Sequence, residues 1–357
     1  MNKLLRSVCW LTAIASAAGL PKPFEGDYIL RDFHFRGGET AREIKLHYRT
    51  LGKPITGAGG KIENAVLILH GTGGSGDQFF RDQFAGELFD RGQLLDPARY
   101  FIILPDGIGH GDSSKPSDGL HMRFPHYGYV DMVEAQYKLV TEGLHVNHLR
   151  LVMGTSMGGM QTWMWGETYP EFMDALMPLA SLPWPITGRN YVWRRMLSDA
   201  IREDPEWRDG EYRTEPRGLK MAQYLLTVMG STAIDWQRQA ATRDAAEKFY
   251  QKTMSERMAR RGLDANDLLY QVDSSRDYDP NPGLEKIRAR LIAVNSADDE
   301  INPPELGIME REIRRVPQGR YVLIPTSEKT HGHGSHTWAA LWKDSLHELL
   351  ETGPSVR

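Results

Sequence analysis

Cysteine is nearly absent. The 357 residues contain one, Cys9. It lies in an N-terminal stretch with the marks of a cleavable leader: Lys3 and Arg6, an apolar run over 8–18, small residues at Ala15-Ser16-Ala17, then Pro21. The expectation is a signal peptide over residues 1–18 and a periplasmic or secreted mature chain without any thiol. That excludes disulfides, thiolate catalysis and Cys-based metal sites. The same run is too short to serve as a permanent span, so no stable membrane insertion is expected after cleavage. Blocks of like charge are also missing. With 43 basic and 47 acidic side chains, the net charge is -4, and no basic stripe offers nucleic acid an electrostatic footprint. No repeat and no low-complexity tract interrupts the chain.

What is present is a globular composition, 40% hydrophobic and 25% charged, ample for a large core without staples. Residues 28–35 and 43–51 alternate as strands around Gly37-Gly38, a hairpin turn. Short continuous apolar runs follow at 65–70, 100–105, 149–153, 175–180, 291–294 and 321–324, as buried strands read. Between them lie helical patterns at 131–144, 157–169, 304–315 and 337–351, the first two amphipathic. Strand alternating with helix predicts an α/β fold, a mostly parallel sheet with helices on both faces. Residues 184–282 contain no buried-strand pattern and carry Trp184, Trp193, Trp207 and Trp236. They predict an inserted helical cap, giving core over 19–183, cap over 184–285 and core again over 286–357.

Gly154-Thr155-Ser156-Met157-Gly158 follows one apolar run and opens a helical pattern. GxSxG alone is cheap, and a Gly-rich turn with a capping Ser would also fit. The strand–turn–helix setting favours a nucleophile elbow of the α/β-hydrolase fold, with Ser156 as nucleophile. Such a Ser needs a base, and the base an orienting acid, in chain order Ser, acid, His. The acid is expected in Asn295-Ser296-Ala297-Asp298-Asp299-Glu300-Ile301-Asn302-Pro303. Asp299, four residues before Pro303, is favoured over Asp298, with Glu300 third. The base is expected in Thr330-His331-Gly332-His333-Gly334-Ser335-His336. Three His in six residues also suit a metal, but the loop is Gly-rich and holds no acidic residue. His333 is the expected base, His331 and His336 loop or pocket residues, and no metal or cofactor is expected. His70-Gly71-Thr72-Gly73-Gly74 closes an early strand. The N–H groups of Thr72 and Met157 are the expected oxyanion donors, the other reading being an ordinary Gly-rich turn. Asp106-Gly107-Ile108-Gly109-His110-Gly111-Asp112-Ser113 reads as architecture, with His110 structural.

Further segments carry a family resemblance. Gly154-Thr155-Ser156-Met157-Gly158-Gly159-Met160-Gln161 with Tyr169-Pro170 resembles the elbow region of homoserine O-acetyltransferases. So do Phe124-Pro125 and Asp131-Met132-Val133-Glu134-Ala135-Gln136 ahead of it. Asp204-Pro205-Glu206-Trp207, Gly210, Tyr212, Pro216 and Gly218-Leu219 resemble that family's cap, and Asp299 to Pro303-Pro304 and Gly332-His333 its acid and base. The resemblance covers residues 28–346. It implies an α/β-hydrolase fold, the Ser-Asp-His set and acyl transfer. Three positions depart from it. The resemblance implies an Asp after the base, where Gly334 stands. It implies an Arg in the cap for the substrate carboxylate, where Gln223 follows Ala222. It implies a second Arg near the end of the Asp264-Ala265-Asn266 segment, where Asp273 stands. A zwitterionic amino acid needs charged partners in a dry pocket, so homoserine is a poor fit. An exported protein also lacks acetyl-CoA, a cytosolic donor. The expected function is thus an exported serine hydrolase of an ester, with amide, lactone or thioester as alternatives. A CoA-dependent O-acyltransferase is the rival, and a non-catalytic binding protein on the same scaffold a third. The expected partner is a small-molecule acyl substrate, with a homodimer left open.

Overall fold

Two long strands, β1 (Phe24–His34) and β2 (Thr40–Leu51), pair antiparallel through a turn in which Gly38 takes φ 89°. The structure is a computed structural model that describes residues 22–260 and 262–351. The expected leader and Cys9 lie outside these residues. Among the described residues no helix is long and apolar enough to cross a membrane.

Six strands follow: β3 (Ala65–Leu69), β4 (Phe101–Pro105), β5 (Leu151–Thr155), β6 (Ala175–Leu179), β7 (Arg290–Ser296) and β8 (Gly319–Ile324). The sheet order is β1-β2-β4-β3-β5-β6-β7-β8, and every pair from β4 to β8 is parallel. The helices are α1 (Asp82–Leu88), α2 (Tyr129–Lys138), α3 (Met157–Thr168), α4 (Gly188–Arg202), α5 (Arg217–Met229), α6 (Ala233–Gln239), α7 (Arg243–Met258), α8 (Ala265–Asp273), α9 (Ile308–Glu312) and α10 (Lys343–Glu351). Helices α4 to α8 all fall between β6 and β7.

The period of two in a strand divides the core. Leu67, Leu69, Ile103 and Val152 join Met132 and Trp163 of α2 and α3 on one face of the sheet. Val66, Ile68, Ile102, Leu104, Leu151 and Met153 join Phe84 and Leu88 of α1 and Leu346 of α10 on the other. A third cluster, with Leu197, Ile201, Trp207, Leu219 and Leu269, lies within the inserted helices.

The structure differs from the sequence-based expectations in one strand and three helices. The run at 321–324, expected as a buried strand, lies in β8, which edges the sheet and has no buried residue. Helix α3 is not amphipathic: every residue from Met157 to Gly166 is buried, because the helix is covered on all sides. The helix expected over 304–315 is broken into short turns, since Gly307 takes φ 60° between them. The one expected over 337–351 becomes regular only at Lys343.

Candidate active site

The turn from β5 into α3 puts Ser156 at φ 54°, ψ -111°, a conformation costly for any residue with a Cβ. Glycines make the turn fit. A Cβ on Gly154 would lie 2.2 Å from the Gly158 carbonyl oxygen, and one on Gly158 would lie 2.0 Å from that of Leu69. The chain therefore passes close enough to β3 for the loop after that strand to reach Ser156. A Cβ on Gly71 would stand 3.4 Å from the Ser156 Cβ.

Ser156 Oγ lies 2.8 Å from His333 Nε2, and His333 Nδ1 lies 2.9 Å from Asp299 Oδ2. The three residues stand in the turn after β5 and the loops after β7 and β8. Asp299 is held from several directions. Its Oδ1 accepts from the N–H groups of Ile301 (2.8 Å) and Asn302 (3.2 Å), and its Oδ2 from Asn302 Nδ2 at 3.1 Å. Burial alone would raise the Asp299 pKa, but the His333 charge and these donors outweigh it and lower the value. The carboxylate is thus kept ionised against the imidazole. The hydrogen bond to Asp299 sets the Nδ1–H tautomer and leaves Nε2 free to accept the hydroxyl proton.

The competing acids do other things. Asp298 accepts the Gly332 N–H at 3.1 Å and the Ser296 hydroxyl at 2.5 Å, which ties the loop carrying His333 to the end of β7. Glu300 is exposed and pairs with Arg189 at 2.8 Å. The three histidines do not converge. His331 stacks on Trp338 at 4.4 Å, and His336 lies edge-on to His333 at 5.2 Å. Burial, then the His333 charge, pushes His336 down to about 3, so it stays neutral.

Met157 opens α3, where first-turn N–H groups lack intrahelical acceptors. Among the described residues the Met157 and Thr72 amides donate to no protein group. The glycine-rich stretch after β4 is scaffolding. Asp106, fully buried, accepts from Gly76 N–H at 2.7 Å and Asp112 N–H at 2.9 Å, and pairs with Arg49 at 3.1 Å. His110 turns its Nδ1 to the Ile108 carbonyl at 2.9 Å. Asn302, Asp298 and Ser296 support Asp299 and the His333 loop, and the sequence marks them only by lying within three positions of Asp299.

At the departing positions, Gln223 is buried on α5, Asp273 is half-exposed and pairs with Arg276 at 2.8 Å, and Gly334 directly follows His333.

A mostly parallel sheet with a serine at a strained strand–helix turn, a histidine and a carboxylate in one hydrogen-bonded line defines the α/β-hydrolase class. Residues 64–329 match the family described as alpha/beta hydrolase fold, and the chain belongs to that family. Within it, the chain is 30% identical over 299 residues to a "Probable acyltransferase" of Methanothermobacter thermautotrophicus, covering 83% of this chain and 88% of that one. It is 31% identical over 317 residues to a homoserine O-acetyltransferase of Trichormus variabilis, covering 80% of each. Its fold also matches an acetylester hydrolase from Corynebacterium glutamicum, with TM-score 0.77, 22% identity, and 92% and 96% of the two chains covered.

Proposed function

We propose that the protein is a serine hydrolase that cleaves a carboxylic ester through an acyl-enzyme. The observation that carries this reading is the unbroken line Asp299–His333–Ser156, with spacings of 2.9 and 2.8 Å. In this mechanism Ser156 Oγ attacks the ester carbonyl carbon while its proton passes to His333 Nε2. The Thr72 and Met157 amides hold the oxyanion. His333 gives the proton to the leaving alcohol oxygen as the C–O bond breaks. Water then attacks the acyl-enzyme, His333 takes its proton, and the acid departs with Ser156 restored. Asp299 orients His333 and stabilises the imidazolium. Water is favoured as acceptor because Gln223, Gly334 and Asp273 stand where the resemblance implies charged partners for homoserine. Export through residues 1–18 belongs to the same reading and would separate the enzyme from cytosolic acyl-CoA.

The rival is acyl transfer to an alcohol, favoured by the identity to homoserine O-acetyltransferases. One experiment decides. Purified protein is expected to release p-nitrophenol from p-nitrophenyl acetate without CoA, and Ser156→Ala to reduce kcat by about 10⁴ or more. Undiminished turnover in Ser156→Ala removes the mechanism, and turnover seen only with acetyl-CoA plus an alcohol replaces hydrolysis by transfer.

A further inference from the structure

Helix α4 directs Leu197 and Ile201 into the cap core. Arg194, one turn earlier, lies along the same face at helical spacing. Its neighbours Arg189 and Arg195 are exposed and pair with Glu300 and Asp199, both at 2.8 Å. Arg194 is half-buried, and among the described residues no carboxylate pairs with it. Its contacts are neutral: Nε donates to Asn190 Oδ1 at 3.0 Å, and one terminal nitrogen to Ser275 Oγ at 3.1 Å and the Val272 carbonyl at 3.4 Å. That carbonyl is near the C-terminus of α8, whose dipole supplies only a fraction of a negative charge. A guanidinium partly withdrawn from water, with neutral acceptors alone, has no paired counter-charge among the described residues.

The place it occupies matters. Arg194 and Thr72 both face the hydroxyl of Tyr129, the first residue of α2. The Thr72 and Tyr129 hydroxyls are buried and, among the described residues, neither has a partner at full hydrogen-bond geometry; Thr72 and Arg194 act on the Tyr129 oxygen only as loose donors. Thr72 is adjacent to Gly71, which packs against Ser156. A cation without a carboxylate partner and two loosely bonded hydroxyls therefore meet beside the loop that follows β3, on the seam between cap and core. The position is not that of Gln223, which lies on a different helix.

We propose that Arg194 binds a carboxylate carried by the substrate, so that the substrate class is an ester with a free carboxylate on its acid or alcohol part. This rests on Ser156 being the nucleophile. A guanidinium offers a carboxylate two parallel N–H donors, and a substrate anion supplies the paired carboxylate that Arg194 lacks among the described residues, Asp277 being engaged by the Tyr129 N–H.

The test uses two matched pairs: 4-acetoxybenzoate against its methyl ester, and monomethyl against dimethyl adipate. The wild type is expected to favour the carboxylate member of at least one pair in kcat/KM. In Arg194→Gln that ratio is expected to fall about 10- to 100-fold, the range of a charge-assisted hydrogen bond, with Arg194→Lys between. A role confined to tying α4 to the end of α8 would lower both members of a pair by one factor, and an unchanged ratio in Arg194→Gln overturns the proposal. So does a wild type without preference in either pair. If no ester is turned over, the hydrolase reading falls, and calorimetry with 4-hydroxybenzoate and adipate decides on Arg194. Binding to the wild type that weakens about tenfold or more in Arg194→Gln sustains the carboxylate site, and equal or absent binding removes it.

Discussion

At the scale of single residues, the two neighbouring aspartates separate cleanly. Asp299 touches His333, and Asp298 touches Ser296 and the loop on which His333 rides. Asp299→Asn keeps the shape but offers Nδ1 an amide in place of a carboxylate, which favours the wrong tautomer. We expect kcat to fall by about 10³ to 10⁴. Asp298→Asn retains one acceptor for Gly332 and should cost about tenfold, because the loop is loosened and its chemistry kept. Steady-state kinetics on p-nitrophenyl acetate compares them, and a larger loss in Asp298→Asn would reverse the assignment. Asp299 was legible in advance from its spacing to Pro303. The work of Asp298 was not, because a side chain that bonds Gly332, 34 positions away, leaves no local pattern.

At the scale of elements, the glycines of the elbow are set by backbone-to-backbone distance. A Cβ on Gly158 meets the Leu69 carbonyl oxygen at 2.0 Å, and backbone in a central strand cannot yield as a side-chain tip can. Gly158→Ala should destabilise by more than about 3 kcal/mol, read as a shift in urea midpoint or as loss of soluble protein. Helix α8 carries a second consequence. Its Asp267 accepts from Ser117 N–H at 2.8 Å and the Ser117 hydroxyl at 2.7 Å, linking cap to core. Burial, with Asp264 adding, raises its pKa from 3.8 to about 7, although Ser117 and Lys115 pull the other way. The folded chain then holds a proton that the unfolded chain has already released. Stability attached to this carboxyl is complete below about pH 4 and is lost as pH climbs through 7. Between pH 5 and pH 8 the wild type should lose more stability than Asp267→Asn in urea titrations. Equal losses in the two proteins would remove Asp267 as the source.

At the scale of the whole molecule, the inserted helices have a core of their own and are joined to the rest of the fold by aromatic packing of Tyr270 on Phe124 and Tyr127 and by polar contacts. Gln271 Nε2 donates to the Gly109 carbonyl at 2.8 Å, and Asp277 accepts from the Tyr129 N–H at 2.8 Å. Trp207 sits in the middle of the cap cluster, with its indole N–H on Asn266 Oδ1 at 2.8 Å. Trp207→Ala should cost the cap about 3–5 kcal/mol. Hydrogen exchange is expected to accelerate in α4, α5 and α8 while β3 to β7 keep their protection. Equal acceleration in sheet and cap would mean that the two unfold as one unit.

Much of this protein was determined locally. Apolar runs of four to six residues, punctuated by glycine and proline, mark strands because a strand buried on both faces has no polar side to display; β8, at the sheet edge, is the exception. GxSxG between strand and helix marks the elbow because few other residues tolerate that turn. The meeting of Ser156, His333 and Asp299 in one hydrogen-bonded line could therefore be expected from position and order. Tertiary structure alone decided what depends on distance across the fold. It buried α3 on every side, broke the helix after Pro303, joined Asp298 to Gly332, and left Arg194, among the described residues, without a carboxylate partner near Tyr129. The reason is physical: a side chain's partners and its dielectric surroundings are set by residues far away in the chain, and only the folded packing brings them together.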